Sequence, residues 1–406
     1  MVEKLDADIT VIGAGLVGSL FANFAADAGF KVIIIDKANH KDLIKNSFDG
    51  RASAISFGNK RILEVNNLWG EINKYVQPIL EIRVSEEGSN SYLHFDHKEI
   101  GSDPLGYMVE NRYLRKVFFE SIIKKKNVQL FDEHEITDFS TLNGRGKCFL
   151  NNSKVIDSDL IVAADGIKSK IREKSNIEFI EKDYRQTAIV TTVKHEKHHN
   201  GIAHERFRTP GPFAILPLRG NMSSLVWVES NITAEKLLKL ESNKFNFELE
   251  KRFGDFLGSI VSVPPNWKYK LKLSHAKQYY QHRIVLIGDA AHATHPLAGQ
   301  NFNASIQDIT SLVYMLKKKS ILGLDIGIVD TLRKYDKLRR PSNDRLIAMT
   351  TFLNSLFSTN NSIKKFSRRT GIALVQNSGF AKNFFMNYAG NKDINIPNFS
   401  DININS

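Results

Sequence analysis

A chain of 406 residues is long enough for two or three domains and a large buried core. Its apolar share of 42% and charged share of 25% are those of an ordinary globular protein, and 56 basic against 44 acidic residues leave a net charge of +12. The single cysteine, Cys148, excludes an internal disulfide and a paired-thiol zinc or redox motif, and no apolar run reaches the roughly 18 residues of a membrane-spanning helix. A reducing, cytoplasmic setting is expected. The opening acids Glu3, Asp6 and Asp8 lead directly into a strand, which does not read as a signal peptide.

In chain order, a β-rich run at 8–11 enters the turn Gly13-Ala14-Gly15-Leu16-Val17-Gly18. A helical pattern through Phe21, Ala22, Phe24 and Ala25 closes at Gly29, and a second strand at 31–35 ends in Asp36. Strand, glycine turn, helix, strand and acid together make a dinucleotide-binding unit. Gly13 permits the tight turn, Gly15 lets the backbone approach a pyrophosphate, and Gly18 lets the helix pack on the strand. The helix N-terminus offers N–H groups to the phosphates, and Asp36 is placed to accept from ribose hydroxyls.

Two further apolar strands end in acidic turns. The first, Leu160-Ile161-Val162-Ala163-Ala164, delivers Asp165-Gly166. The second, Arg283-Ile284-Val285-Leu286-Ile287, delivers Gly288-Asp289-Ala290-Ala291-His292 and then Pro296-Leu297-Ala298-Gly299-Gln300-Asn301-Phe302-Asn303. Between them, β-branched and aromatic runs at 189–193 and 225–228 predict strands. His195-Glu196-Lys197-His198-His199 reads as a polar loop and not a metal site, since no cysteine or spaced carboxylate accompanies it. Lysine clusters such as Lys124-Lys125-Lys126 and Lys317-Lys318-Lys319 read as solvated helix faces, and no nucleic-acid motif accompanies them. After Arg340-Pro341, helical spacing continues with Phe352, Leu353, Leu356, Phe357, Ile363 and Phe366. This is either a helix packed on the core or a basic amphipathic surface that reaches lipid.

These motifs, in this order, resemble the class A FAD-dependent aromatic monooxygenases, most closely the ubiquinone-biosynthesis ring hydroxylases. The match also takes in Asp49-Gly50-Arg51-Ala52-Ser53-Ala54-Ile55-Ser56, Glu205-Arg206-Phe207, and Gly211-Pro212-Phe213-Ala214-Ile215-Leu216-Pro217-Leu218. The resemblance implies an α/β fold with a discontinuous Rossmann-like FAD-binding domain (1–78, 101–180, 273–340) and a β-sheet substrate domain (79–100, 181–272). A C-terminal helical region (341–391) and a frayed tail (392–406) complete it.

The resemblance further implies a cofactor set of Gly13, Gly15, Gly18, Asp36, Arg51, Asn111, Arg115, Asp165, Gly166, Gly288, Asp289, Pro296, Gly299, Gln300, Asn301, Phe302 and Asn303. Arg51 would lie near the pyrophosphate, or else be a surface arginine. Asn111 and Arg115 open a helix against the flavin, or else are a cap and a solvated arginine. Phe207, Phe213, Leu216 and Pro217 would line the substrate site, and Pro296 and His292 are the weak candidates for catalysis. No dedicated acid or base stands out.

The implied reaction is hydroxylation of a polyprenylphenol ring, with FAD, transient NADH or NADPH, O2 and a flavin C4a-hydroperoxide. Hydroxylation of another phenolic or heteroaromatic substrate, or a non-catalytic FAD-binding subunit of a quinone-synthesis assembly, are the alternatives. Expected partners are the prenylated phenol, other ubiquinone-biosynthesis proteins and a membrane surface, with peripheral placement on the inner membrane face. Asn301 and Ser305 replace glycines common in the family, and Asn suits a left-handed backbone next best.

Overall fold

Glycine turns and short apolar runs divide the chain into nineteen strands among the described residues, which are 3–39, 41, 44, 48–87, 92–99, 101–142, 144–295 and 299–357 of a computed structural model. Pro296 and the stretch 358–406 lie outside them. The strands are β1 (Lys4–Ile12), β2 (Val32–Ile35), β3 (Ala52–Ser56), β4 (Val76–Ile79), β5 (Glu81–Glu86), β6 (Tyr92–Asp96), β7 (Gly106–Glu110), β8 (Val128–Phe131), β9 (Ile136–Ser140) and β10 (Gly146–Leu150). They continue as β11 (Val155–Ala163), β12 (Phe179–His195), β13 (Ile202–Phe207), β14 (Phe213–Leu218), β15 (Met222–Ser230), β16 (Ile260–Ala276), β17 (Tyr280–Gln281), β18 (Ile284–Leu286) and β19 (His292–Ala293). The helices are α1 (Leu16–Asp27), α2 (Phe57–Val65), α3 (Trp69–Ile72), α4 (Asn111–Ile122), α5 (Lys170–Lys174), α6 (Asn231–Leu238), α7 (Ser242–Phe253), α8 (Gln300–Ile321) and α9 (Val329–Phe357).

The first sheet runs β17-β18-β11-β1-β2-β8, with β10 and β9 added beside β11. Its centre is parallel; β2, β18 and the Ile9–Ile12 half of β1 are wholly buried, as strands covered on both faces should be. Phe21 and Phe24 of α1 and Ile309 and Leu312 of α8 belong to the same core. This is the expected discontinuous Rossmann-like layer.

The second sheet runs β19-β16-β12-β15-β14-β13-β5-β6. Alternation gives it two faces. The outer face buries Phe213, Ile215, Leu225 and Trp227 with Phe245, Leu249 and Phe253 of α7. The inner face sets Ala203 and Leu216 against Ile79 and Met108 of the small β3-β7-β4 sheet. Thr192 on the inner face donates to the Gly50 carbonyl (3.3 Å) and ties the two layers together.

Helix α9 runs straight through Pro341, across the boundary drawn at 340/341 between the FAD-binding and C-terminal helical regions. Arg339 and Asn343, one on each side of the proline, both donate to Asp308 Oδ1 of α8 at 2.8 and 3.2 Å. That shared buried acceptor holds the flanking turns in place despite the missing N–H.

Candidate active site

The register aligns Ile12 with Ala163 and Ala163 with Leu286, so the turns after β1, β11 and β18 emerge side by side. Ligands of open α/β sheets sit at these carboxyl ends. The three fingerprint glycines face different surroundings. Gly13 has φ +96°, and a Cβ there would lie 2.5 Å from the Ala164 carbonyl oxygen. At Gly18 a Cβ would lie 1.8 Å from the Gly13 carbonyl oxygen. At Gly15 a Cβ would meet nothing within 4 Å, so this backbone is open to an incoming group. Asp36 lies beside the turn, accepting from the Ala14 N–H at 2.6 Å and the Ala38 N–H at 2.8 Å.

The two later aspartates lie at these turns, Asp165 half-buried and Asp289 exposed. Asp165 takes a long bond from the Ile171 N–H (3.4 Å) on Oδ2, and its Oδ1 is buried without a partner among the described residues. Asp289 reaches solvent, yet the surrounding protein raises its carboxyl above the ordinary range, and its side chain makes no hydrogen bond among the described residues. Burial likewise raises Asp165. Arg172, 1% exposed, fastens the two turns by donating to Ile167 and Ala290 carbonyls, both at 2.9 Å.

Arg51, Asn111 and Arg115 come together through the β3–β7 pair. The Asn111 N–H donates to the Arg51 carbonyl (2.8 Å), and Ser53 donates to Asn111 Oδ1 (2.7 Å). Both arginines pair with Asp49, Arg51 at 2.8 Å. Arg115 also lines a recess with Ala14, Gly15, Leu16 and Ser19. Trp267 of β16 donates its indole N–H to the Asp49 carbonyl. Asp49 and Trp267 were not singled out from the sequence. The Asp49-Gly50-Arg51 stretch was the available signal for Asp49, whereas Trp267 is distant in sequence and offered none.

At the start of α8, Gly299 takes the left-handed backbone (φ +59°) and no side chain caps the helix. Asn301 is therefore helical and not left-handed, a correction to the expectation. Its amide instead exchanges hydrogen bonds with Thr294, at 3.0 Å to the hydroxyl and 3.1 Å to the carbonyl. Ser305 donates to the Asn301 carbonyl (2.8 Å) and packs beside Gly288. Asn303 spends its amide on β3 and α2, accepting from the Ser56 N–H (2.9 Å) and Asn59 (2.8 Å) and donating to Ala54 (3.0 Å). Gln300 and Phe302 remain half-buried at the helix start.

His292 is wholly buried and paired with Asp308, which also takes Arg339. His292 and Arg339 outweigh burial and hold the Asp308 carboxyl well below its usual range. This is a structural ion network, and it removes His292 from the open cleft. The four expected substrate residues also divide. Phe207 and Leu216 lie on the inner face, whereas Phe213 packs edge-on to Trp227 under α7 and Pro217 alternates to that same outer side. The correction follows from the strand period of two. In the histidine stretch, His195 bonds Lys197 and Ser223, and His199 bonds Leu218 and Gly201, so both nitrogens of each ring have protein partners.

Residues 6–348 match the family model described as "FAD binding domain". The chain belongs to this FAD-binding family. It is 40% identical over 383 residues to the ubiquinone hydroxylase UbiL of Rhodospirillum rubrum, covering 94% of this chain and 89% of that one. It is 28% identical to the 3-demethoxyubiquinol 3-hydroxylase of Escherichia coli, covering 94% and 98%. The fold is that of p-nitrophenol 4-monooxygenase PnpA from Pseudomonas putida, with a TM-score of 0.79 at 17% identity over 97% of this chain and 100% of that one.

FAD is the cofactor of this family, and the described residues suit it. The open Gly15 backbone, the unpartnered Asp165 oxygen and the solvent-reaching Asp289 are what a dinucleotide's phosphates and hydroxyls require. Among the described residues, no helix is long and apolar enough to cross a membrane.

Proposed function

We propose that this chain is an FAD-dependent monooxygenase that hydroxylates the aromatic ring of a polyprenylphenol in ubiquinone biosynthesis, consuming NADH or NADPH and O2. The observation that carries this reading is the 40% identity to a ubiquinone hydroxylase across nearly the whole chain. Bound FAD supplies the redox chemistry that activates oxygen.

The protein's own residues bind and orient. Gly13, Gly15 and Gly18 shape the pyrophosphate site with Arg51 and Arg115 nearby, and Asp36, Asp165 and Asp289 offer acceptors to hydroxyls. The uncapped start of α8, from Gly299 through Gln300, Asn301, Phe302 and Asn303, presents free N–H groups that favour negative charge on a reduced flavin ring. The inner face of the second sheet, with Phe207 and Leu216, covers the reacting ring and keeps water from it. Prenylated substrate, partner enzymes of the same synthesis and a membrane surface are the associations this reading entails.

The test is a purified, FAD-loaded reaction with 2-geranylphenol, NAD(P)H and ¹⁸O₂, followed by mass spectrometry. One labelled oxygen atom in the ring supports the reading. NAD(P)H oxidation yielding only peroxide with every phenol tried would reject it.

A further inference from the structure

The inner face of the second sheet carries one carboxylate for which the fold has no use. On β13, Ala203, Glu205 and Phe207 alternate onto the side that meets Ile79 and Met108, and Glu205 stands opposite Ala214 of β14 and Val84 of β5. Around it the face is apolar and half-open: Val84, Phe95, Leu216 and Val226 are all partly exposed. Among the described residues the Glu205 side chain makes no hydrogen bond or ion pair. An unpaired carboxylate held in such surroundings is costly, so its place is explained by a group that enters and pairs with it.

The neighbouring charges do not supply that pair. Glu86 of β5 faces the same way and is itself a carboxylic side chain, not a cation. Glu81 and Arg83 of β5, His94 of β6, and His204 and Arg206 of β13 all lie on the opposite face, where Arg206 donates to the Arg252 and Phe253 carbonyls. From β14, β4 and β7 come Ala214, Leu216, Ile79 and Met108.

We propose that Glu205 is a catalytic residue that accepts the hydroxyl proton of the phenolic substrate, an inference that rests on the ring-hydroxylase reading above. The substrate O–H bond breaks, the proton passes to a Glu205 oxygen, and the electron pair stays on the phenolic oxygen. That pair strengthens the ring carbons ortho and para to it as nucleophiles toward one atom of O2; the ring C–O bond forms as the O–O bond breaks, and the other oxygen leaves as water, the two electrons coming from NAD(P)H. When the hydroxylated ring regains aromaticity it loses its ring proton to solvent, and Glu205 returns its own proton to the phenolic oxygen. Burial pushes the Glu205 carboxyl up to about 7, which suits a base working near neutral pH.

The experiment compares wild type with Glu205→Gln and Glu205→Asp as FAD-loaded enzymes, using 2-geranylphenol as the probe. Its dissociation constant is read from the perturbed flavin spectrum, and kcat is measured from pH 5.5 to 9. Wild-type kcat should rise with pH and level off above about 7. Glu205→Gln should bind the probe within about tenfold of wild type, lose about 100-fold in kcat and lose the acidic limb, while Glu205→Asp keeps that limb. Glu205→Gln with kcat within threefold and the limb intact would overturn the proposal. So would a Glu205→Gln protein that cannot fold or load FAD, since the carboxylate would then be structural. A wild type that hydroxylates no prenylphenol would instead reject the underlying reading.

Discussion

The guanidinium of Arg51 lies 4.5 Å from the centre of the Trp267 ring, so the loop that carries Arg51 is fastened to the second sheet. Trp267 completes the fastening through its bond to the Asp49 carbonyl, and Asp49 in turn holds Arg51 and Arg115. If Arg51 and Arg115 hold the cofactor as proposed, its binding and the seating of the second sheet are coupled.

Asp49→Asn should weaken FAD binding about 30-fold, or about 2 kcal/mol, the scale of lost charged hydrogen bonds. Burial raises the Asp49 carboxyl, but Arg115 and Arg51 outweigh it and hold it below the ordinary range. Its stabilisation is therefore present above the unfolded value near 4 and lost as pH falls through the folded value. Flavin retention by ultrafiltration at pH 7, with thermal melts from pH 5 downward, checks both parts.

The glycines of the fingerprint separate folding from binding. Gly15→Ala adds a methyl to open space and should leave the melting temperature of the FAD-free protein nearly unchanged, while lowering FAD affinity at least tenfold. Gly18→Ala puts its methyl into the Gly13 carbonyl and should cost about 3 kcal/mol or prevent folding. Melts of the FAD-free proteins and flavin stoichiometry distinguish the two, and equal losses of stability would contradict the assignment.

The His292–Asp308–Arg339 network should behave as structure. Asp308→Asn leaves the buried Arg339 guanidinium and the His292 ring facing a neutral amide and should cost about 3–5 kcal/mol. Because the folded carboxyl is depressed, its contribution holds above the unfolded value near 4 and disappears below it, so the variant's melts should flatten there. A His292→Gln variant that folds normally but loses hydroxylation would return His292 to the list of reacting groups.

His295, 1% exposed, is kept neutral by burial, with its protonation pushed down to about 4 from 6.5. The unfolded chain takes up that proton first, so stability is lost as pH falls from 6.5 toward 4, at most about 3 kcal/mol. His295→Leu should remove much of that acid sensitivity in calorimetric melts. An unchanged slope would show that His295 does not carry it.

What was legible in the sequence was what local chemistry dictates. Gly13, Gly15 and Gly18 share one six-residue turn in which Gly18 packs on Gly13, and the acidic turns at Asp165 and Asp289 follow from the apolar strands before them. Phe213 and Leu216 stand three apart in one strand and cannot share a face, a signal that was present and not used. The amide of Asn303, by contrast, meets Ser56 and Asn59 more than 240 residues away, and Trp267 meets Asp49 across 218. No local pattern encodes such contacts. Glu205 sat inside a recognised motif, but its isolation became visible only once the β13–β14 and β13–β5 registers set its face.

The most direct test of ring hydroxylation in ubiquinone synthesis is quinone content by lipid mass spectrometry in bacterial hosts that each lack one ring hydroxylase and express this chain. Restored ubiquinone in at least one host is the expected result, and the host identifies the ring position. Soluble, FAD-loaded protein that restores quinone in none of them would contradict the account.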